Sequence, residues 1–246
     1  MLTRGKKLKI CTLTNTYNSQ EYLWYALKSI YDWTDLLVVI DGAFNDRMPS
    51  RISSDQTTAI VKKFPDFEKK IRFEVGAGSN QLEQRDKVLK YLRGFDWLFI
   101  VDDDEIYKPE DLKKLRQFLG NTKDDAFKIG GFTFFNSFDW YRWVADPRLW
   151  RVKANMKFVG SNNLVGHHAK YDRNKMKVVP GIAKYHYSYV RDVKRWNIRI
   201  EQTKVKYPYT VEGRFFVRKG VSFRKFKGEH PEIMENHPYR KIKWHP

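Results

Sequence analysis

Two short apolar runs end abruptly in acid. Leu36–Ile40 (LLVVI) stops at Asp41-Gly42, and Trp97–Val101 (WLFIV) runs directly into Asp102-Asp103-Asp104-Glu105. An unbroken apolar run of this length, without polar alternation, suits a strand buried on both faces. Such strands belong to parallel sheets covered by helices. Between and around them the chain alternates. Residues 8–14 read as a strand, 20–32 as a helix, 36–40 as a strand and 54–64 as a helix stopped near Pro65. Residues 71–75 read as a strand, 80–93 as a helix ended by Gly94, and 96–101 as the fourth strand. Pro109 then opens a helix over 110–119. Four strand–helix units predict an α/β fold with a mostly parallel central sheet flanked by helices.

In such sheets ligands bind beyond the carboxyl ends of the strands. Asn15, Asp41 and the acidic turn Asp102–Glu105 all fall there. Carboxylates packed this closely repel unless a cation relieves them. Mg²⁺ and Mn²⁺ favour carboxylate oxygens and retain phosphate and water ligands. On an extended segment Asp102 and Asp104 would share one face while Asp103 points away, so the first two are expected to share one ligand.

After residue 126 the pattern changes. Residues 127–135 and 149–159 read as further strands joined by a polar, aromatic link, and 189–206 as a basic helix. From about 207 the chain is basic and aromatic, an extension expected to pack on the main domain (1–206) as a terminal strap, 207–246. The charge divides at the same region. Residues 1–146 carry 23 basic and 22 acidic side chains, and residues 147–246 carry 24 and 7, so the net +18 lies almost wholly in the second part. Such a split predicts two tasks and a polyanionic partner for the basic part. No apolar run approaches the roughly 20 residues of a membrane-spanning helix. The single cysteine, Cys11, excludes an intrachain disulfide. The start MLTRGKKLKI lacks a signal-peptide apolar stretch, and together these features predict a cytoplasmic setting.

Six stretches carry a resemblance. The segment DWLFIVDDDEIY resembles the D-x-D strand of family 2 glycosyltransferases, which have the GT-A, Rossmann-like fold. ICTLTNTYNSQEYLWYALKSI is similar to that family's first strand, donor loop and first helix. LLVVIDGAFNDR is similar to its second strand, and NQLEQRDKVL to its helix with an arginine near the donor. DPRLWRVKANMKFVG and KYHYSYVRD are similar to later segments of some members.

The resemblance implies a metal-dependent transferase using a nucleotide-sugar donor, by default a UDP-sugar, with Mn²⁺ or Mg²⁺. It implies that Asn15 and Tyr17 line the base pocket, that Asp41 binds the base, and that Arg85 faces the donor phosphates or holds the acidic turn. Asp102, Asp103 and Asp104 would serve ribose, sugar and metal, with Asp104 and His186 as metal ligands. His186 has an alternative as a buried histidine satisfied by backbone. His167-His168 would point to opposite strand faces and not chelate together.

The family's His-Glu pair after a glycine-containing stretch is missing, because FVGSNNLVGHH has no carboxylate. Asp139 and Asp146 are the candidate bases, with Asp192 a third. Aromatic residues such as Trp140, Tyr141, Trp143 and Trp150 interleave with cations in the second part. That mixture suits nucleic acid, and a hydroxylated base in DNA is the leading expectation for the acceptor. A cell-surface polysaccharide, a teichoic-type polymer or a lipid-linked sugar is the alternative. A non-catalytic nucleic-acid or carbohydrate binding protein is the reading from another class.

Overall fold

The computed structural model describes residues 7–43, 50–76, 78, 81–159, 163–165, 175–191, 195, 210–212, 215–217 and 222–244. The first part follows the predicted alternation: β1 (Ile10–Thr16), α1 (Leu23–Tyr31), β2 (Leu36–Asp41), α2 (Thr57–Lys63), β3 (Ile71–Val75), α3 (Gln81–Asp86) and β4 (Trp97–Ile100). Then come β5 (Glu105–Tyr107), α4 (Pro109–Asn121), β6 (Ala126–Phe135), β7 (Trp140–Arg151), β8 (Lys157–Val159), β9 (Asn163–Val165), β10 (Lys177–Val178) and β11 (Lys184–Tyr189). The described tail adds β12 (Thr210–Glu212), β13 (Phe215–Val217) and β14 (Arg224–Lys225).

Local chemistry accounts for the helices. In α1, Leu23, Ala26, Leu27 and Ile30 are buried at helical spacing. In α4, Pro109 sits in the first turn after an extended Lys108, and Glu110 and Asp111 meet the positive end of the helix. The helix expected over 80–93 is shorter. It stops at Asp86, and a single 3₁₀ turn at Leu89–Tyr91 follows.

The main sheet has the order β3-β2-β1-β4-β7-β6-β11-β5. β3, β2, β1 and β4 are all parallel, as the buried apolar runs predict. β7 then runs antiparallel to both β4 and β6, while β11 is parallel to β6. The expected aromatic link is in fact the first half of β7. It pairs with β6 from Phe134↔Tyr141 through Ala126↔Trp150, and its half-polar faces hide the strand period. The connection is the turn 136–139, where Asn136 takes a left-handed φ of 58°. The short β5 was also missed, and it pairs antiparallel with β11.

One core cluster joins α1 and α4 to the sheet through Leu27, Trp97, Phe99, Leu115 and Leu149. On another face Leu13, Ile40, Leu98, Ile100 and Trp150 pack together. A third, aromatic cluster contains Tyr22, Phe134, Phe138, Tyr185, Tyr187 and Met234. Through it the residues after 222 dock on the hairpin of β6 and β7. His230 Nδ1 lies 2.8 Å from the Tyr187 hydroxyl, and the His237 ring stacks on Tyr22 at 4.6 Å. No helix among the described residues is long and apolar enough to cross a membrane.

Candidate active site

The acidic sequence after β4 is a tight turn. The Glu105 N–H donates to the Asp102 carbonyl at 3.0 Å, closing a four-residue turn where an extended strand was expected. The shared-face expectation for Asp102 and Asp104 therefore fails. Asp102 and Glu105 come together, and Asp104 is sent to different partners.

Buried cations meet these carboxylates. Arg148 donates from Nε to Glu105 Oε2 at 3.0 Å and from Nη2 to Glu105 Oε1 at 2.6 Å, and also reaches Asp102 Oδ2. Lys184 Nζ donates to Glu105 Oε1 at 2.9 Å and to Asp146. Arg85 Nη2 lies 3.7 Å from Asp102 Oδ1. Arg191 Nη2 donates to Asp104 Oδ2 at 2.7 Å, while His186 Nε2 sits 3.0 Å from Asp104 Oδ1. Asp103 accepts from the Ser19 hydroxyl and is itself buried.

Protonation follows from these contacts. Burial alone would raise the Glu105 carboxyl, but Arg148 and Lys184 hold it far below its ordinary 4.5. Asp146 is likewise held low, with Lys184 and Arg148 outweighing its burial. Burial pushes the Arg85 guanidinium down to about 10 against the pull of Asp102. Burial would lower the His186 imidazole, but Asp104 and Glu105 outweigh it and raise it above 6.5.

Asp102, Glu105 and His186 place one potential ligand atom each within 4.8 Å of one another. Their mix of oxygen and nitrogen donors fits Mn²⁺ or a similar divalent ion. Glu105 is wholly buried and held by two cations. Asp102 and His186 keep 32% and 17% side-chain exposure, so these two are the reachable donors. Asp104 backs the imidazole as a carboxylate partner.

The residues expected for the nucleotide line the neighbouring strand ends. Asn15 lies opposite Ile40 at the end of β1. Both its carboxamide atoms are buried, and neither has a hydrogen-bond partner among the described residues. Asp41 is wholly buried. Its two oxygens accept from Ser53 and Thr58, and burial raises its carboxyl. The Tyr17 hydroxyl donates to the Ser50 carbonyl at 2.9 Å. The loop after β1 is fastened further: Asn18 exchanges hydrogen bonds with Ser53 and Ser54. Arg195 joins the Asn18 carbonyl to Glu21 and Asp55.

Of the candidate bases, Asp146 faces inward onto Lys184. Asp139, at the turn between β6 and β7, accepts from Lys243 at 3.2 Å. Asp192, His167 and His168 lie outside the described residues, as does most of the expected basic helix over 189–206. Sequence reasoning missed Arg148, Lys184 and Arg191. Lys184 was findable, because it precedes His186 by two on one strand and so shares its face.

The family model described as glycosyl transferase family 2 matches residues 12–209. The chain belongs to glycosyl transferase family 2. Solved structures similar to this family member include S. aureus TarS 1-349 in complex with UDP. That match has 24% identity and a TM-score of 0.39, and covers 52% of this chain and 36% of that one. The mannosyltransferase PcManGT from Pyrobaculum calidifontis, in complex with GDP-Man and Mn²⁺, matches at 13% identity and TM-score 0.41, covering 60% and 45%. The 4-diphosphocytidyl-2C-methyl-D-erythritol synthase from Anaerococcus prevotii matches at 12% identity and TM-score 0.45, covering 81% and 97%. The chain thus spans about a third of the TarS chain that it matches. No curated protein matches it.

Proposed function

We propose that this family 2 chain moves a sugar from a nucleoside diphosphate sugar, a UDP-sugar by default, to a hydroxyl of a polyanionic acceptor. The observation that carries the reading is the convergence of Asp102 and His186 with the unpartnered Asn15 carboxamide at the strand ends of a family 2 chain. Asn15, Tyr17 and Asp41 are assigned to the nucleoside. Asn15 can both donate and accept, as base recognition requires. Arg85 is assigned to the acidic turn, and Asp103 to fixing the donor loop through Ser19.

Asp102 and His186 would hold the divalent ion, and Asp104 would orient His186 instead of ligating directly. When bound, the ion offsets negative charge on the diphosphate leaving group. The chain's own residues prepare that site. Arg148 and Arg85 fix the Asp102 carboxylate, and Arg191 fixes Asp104.

Asp146 and Asp139 are both assigned as candidates for the acceptor proton. Asp139 meets Lys243, which is 69% exposed, so that pair opens at little cost. Asp146 would have to leave a fully buried ammonium.

For the acceptor, the charge of residues 147–246 supports a polyanion. DNA bearing a hydroxylated base and an anionic cell-surface glycan both meet that requirement, and a cytoplasmic setting serves either. The test is thermal stabilisation by a panel of nucleotide sugars, with and without Mn²⁺, on the parent and on Asp102→Asn. Metal-dependent stabilisation by one donor, lost in the variant, supports the reading. Equal response with and without metal, or no response to any donor, refutes it.

A further inference from the structure

Beside His186 the sheet carries a row of side chains that the donor site does not use. His186 on β11 is in register with Thr133 on β6, and Thr133 is in register with Arg142 on β7. Residues paired in this way share one face of a sheet. The contact of Asp146, on the same face of β7, with Lys184 of β11 agrees with that placement. Arg142 and His186 are thus two strand spacings apart, about 10 Å. Two residues before Arg142, Trp140 lies on the same face, and Lys225 of β14 is in register with it.

The chemistry of this row is incomplete. Among the described residues neither Arg142 nor Lys225 has a carboxylate partner, and Lys225 is exposed. Four indole N–H groups are buried without an acceptor among the described residues: those of Trp33, Trp97, Trp140 and Trp150. The other three rings belong to the apolar core, with exposures of 8%, 0% and 0%. Trp140 alone is half-buried and faces a cationic row.

We infer that Arg142 and Lys225 bind a phosphate group carried by a saccharide acceptor whose sugar lies against Trp140, about one sugar away from the reacting hydroxyl. The inference rests on the transferase reading and deepens it. An arginine fork is suited to phosphate oxygens, and Lys225 adds a second cationic contact. The flat face of Trp140 suits the apolar face of a sugar ring.

A flipped nucleobase fits less well. The nearest aromatic pair, Phe135 and Tyr189, is already stacked at 4.4 Å with 6° between the planes. A base sandwiched between them would require the two rings to separate by a second stacking distance. The phosphate-bearing glycan is therefore favoured over DNA.

The experiment uses three probes on the full chain: a phosphorylated oligosaccharide, the same oligosaccharide after phosphatase treatment, and a single-stranded oligonucleotide of equal charge. Binding is followed by calorimetry, and donor binding is measured on the same parent sample. The parent is expected to bind the phosphorylated probe at least tenfold more tightly than the dephosphorylated one. Arg142→Met is expected to remove that preference, Arg142→Lys to keep part of it, and Trp140→Ala to weaken binding of both oligosaccharides severalfold. Equal binding of the two oligosaccharides overturns the inference, as does a preference that survives in Arg142→Met. Tighter, Arg142-dependent binding of the oligonucleotide overturns it in favour of nucleic acid. A parent that binds no donor refutes the transferase reading separately, and the row is then judged by the oligosaccharide comparison alone.

Discussion

Replacing Lys184 by methionine tests the charge architecture beneath the acidic turn. The Lys184 side chain is fully buried, and its ammonium contacts two carboxylates: Glu105, also fully buried, and Asp146 at 17% exposure. Methionine fills similar volume, so the perturbation is the loss of charge. Removing one partner of a buried pair costs about 3–5 kcal/mol, because the remaining charge is left uncompensated. Arg148 stays on Glu105 with two hydrogen bonds, which places the expectation near the lower figure, about 3 kcal/mol.

The pH dependence makes the test specific. Glu105 and Asp146 both have carboxyls held below their ordinary values, 4.5 and 3.8. Their contribution to stability is present above those values and is lost as pH falls through the depressed, folded ones. Once protonated, the two acids no longer need the ammonium. Urea unfolding at a series of pH values should therefore show a Lys184→Met deficit largest near neutrality and shrinking as the solution is acidified. The double variant Lys184→Met/Glu105→Gln should recover part of the loss at neutral pH. A deficit below about 1 kcal/mol, or one of the same size at every pH, would refute a charge role and leave Lys184 as packing.

Other expectations concern single contacts. A Cβ at Gly131 would lie 2.1 Å from the Lys184 carbonyl oxygen, so Gly131→Ala must push β11 away from β6. It should cost about 3 kcal/mol, read as a lowered Tm, and an unchanged Tm would contradict the close strand contact. Asp41→Asn separates folding from binding. Burial raises the Asp41 carboxyl, so this group withdraws stability as pH climbs through its raised value, and asparagine does not. The variant should match or exceed the parent's stability at pH 8 yet bind donor at least tenfold more weakly in calorimetry. Arg191 is buried between Asp104 and Glu21, so Arg191→Met should lose about 3 kcal/mol in urea unfolding. Arg191→Lys should restore only part of that, because one ammonium cannot reproduce the two-armed fork.

The first half of the fold was legible because its signals are local. LLVVI and WLFIV suit strands buried on both faces, as β2 and β4 are, and the turn residues that end them mark the rim of the sheet. IRFEV matched β3 residue for residue. The second half was harder. Trp140–Arg151 mixes arginine and aspartate with aromatics because one of its faces meets the charged site, so its period of two is obscured.

Within the site, the carboxylates could be named from their position after β4, but their directions could not. Those depend on the turn closed by the Glu105 N–H and on cations from β7, β11 and the residues beyond. Arg148 lies 46 positions from Asp102 in the chain, and Arg191 lies 87 from Asp104. Pairings of that range follow from strand order, which no local pattern encodes. The depth of charge compensation was missed for the same reason. A run of four acids in sequence reads as a metal site, whereas in the fold buried arginine and lysine side chains already hold most of its oxygens.

The most direct measurement is release of nucleoside diphosphate from a panel of UDP- and GDP-sugars, with and without Mn²⁺, by the parent, Asp102→Asn and His186→Gln. One donor should be turned over in a metal-dependent way by the parent, and both variants should lose that dependence. Turnover unchanged in both variants, or no turnover of any donor by a folded parent, would contradict the assignment of Asp102 and His186 as the centre of a glycosyl transfer site.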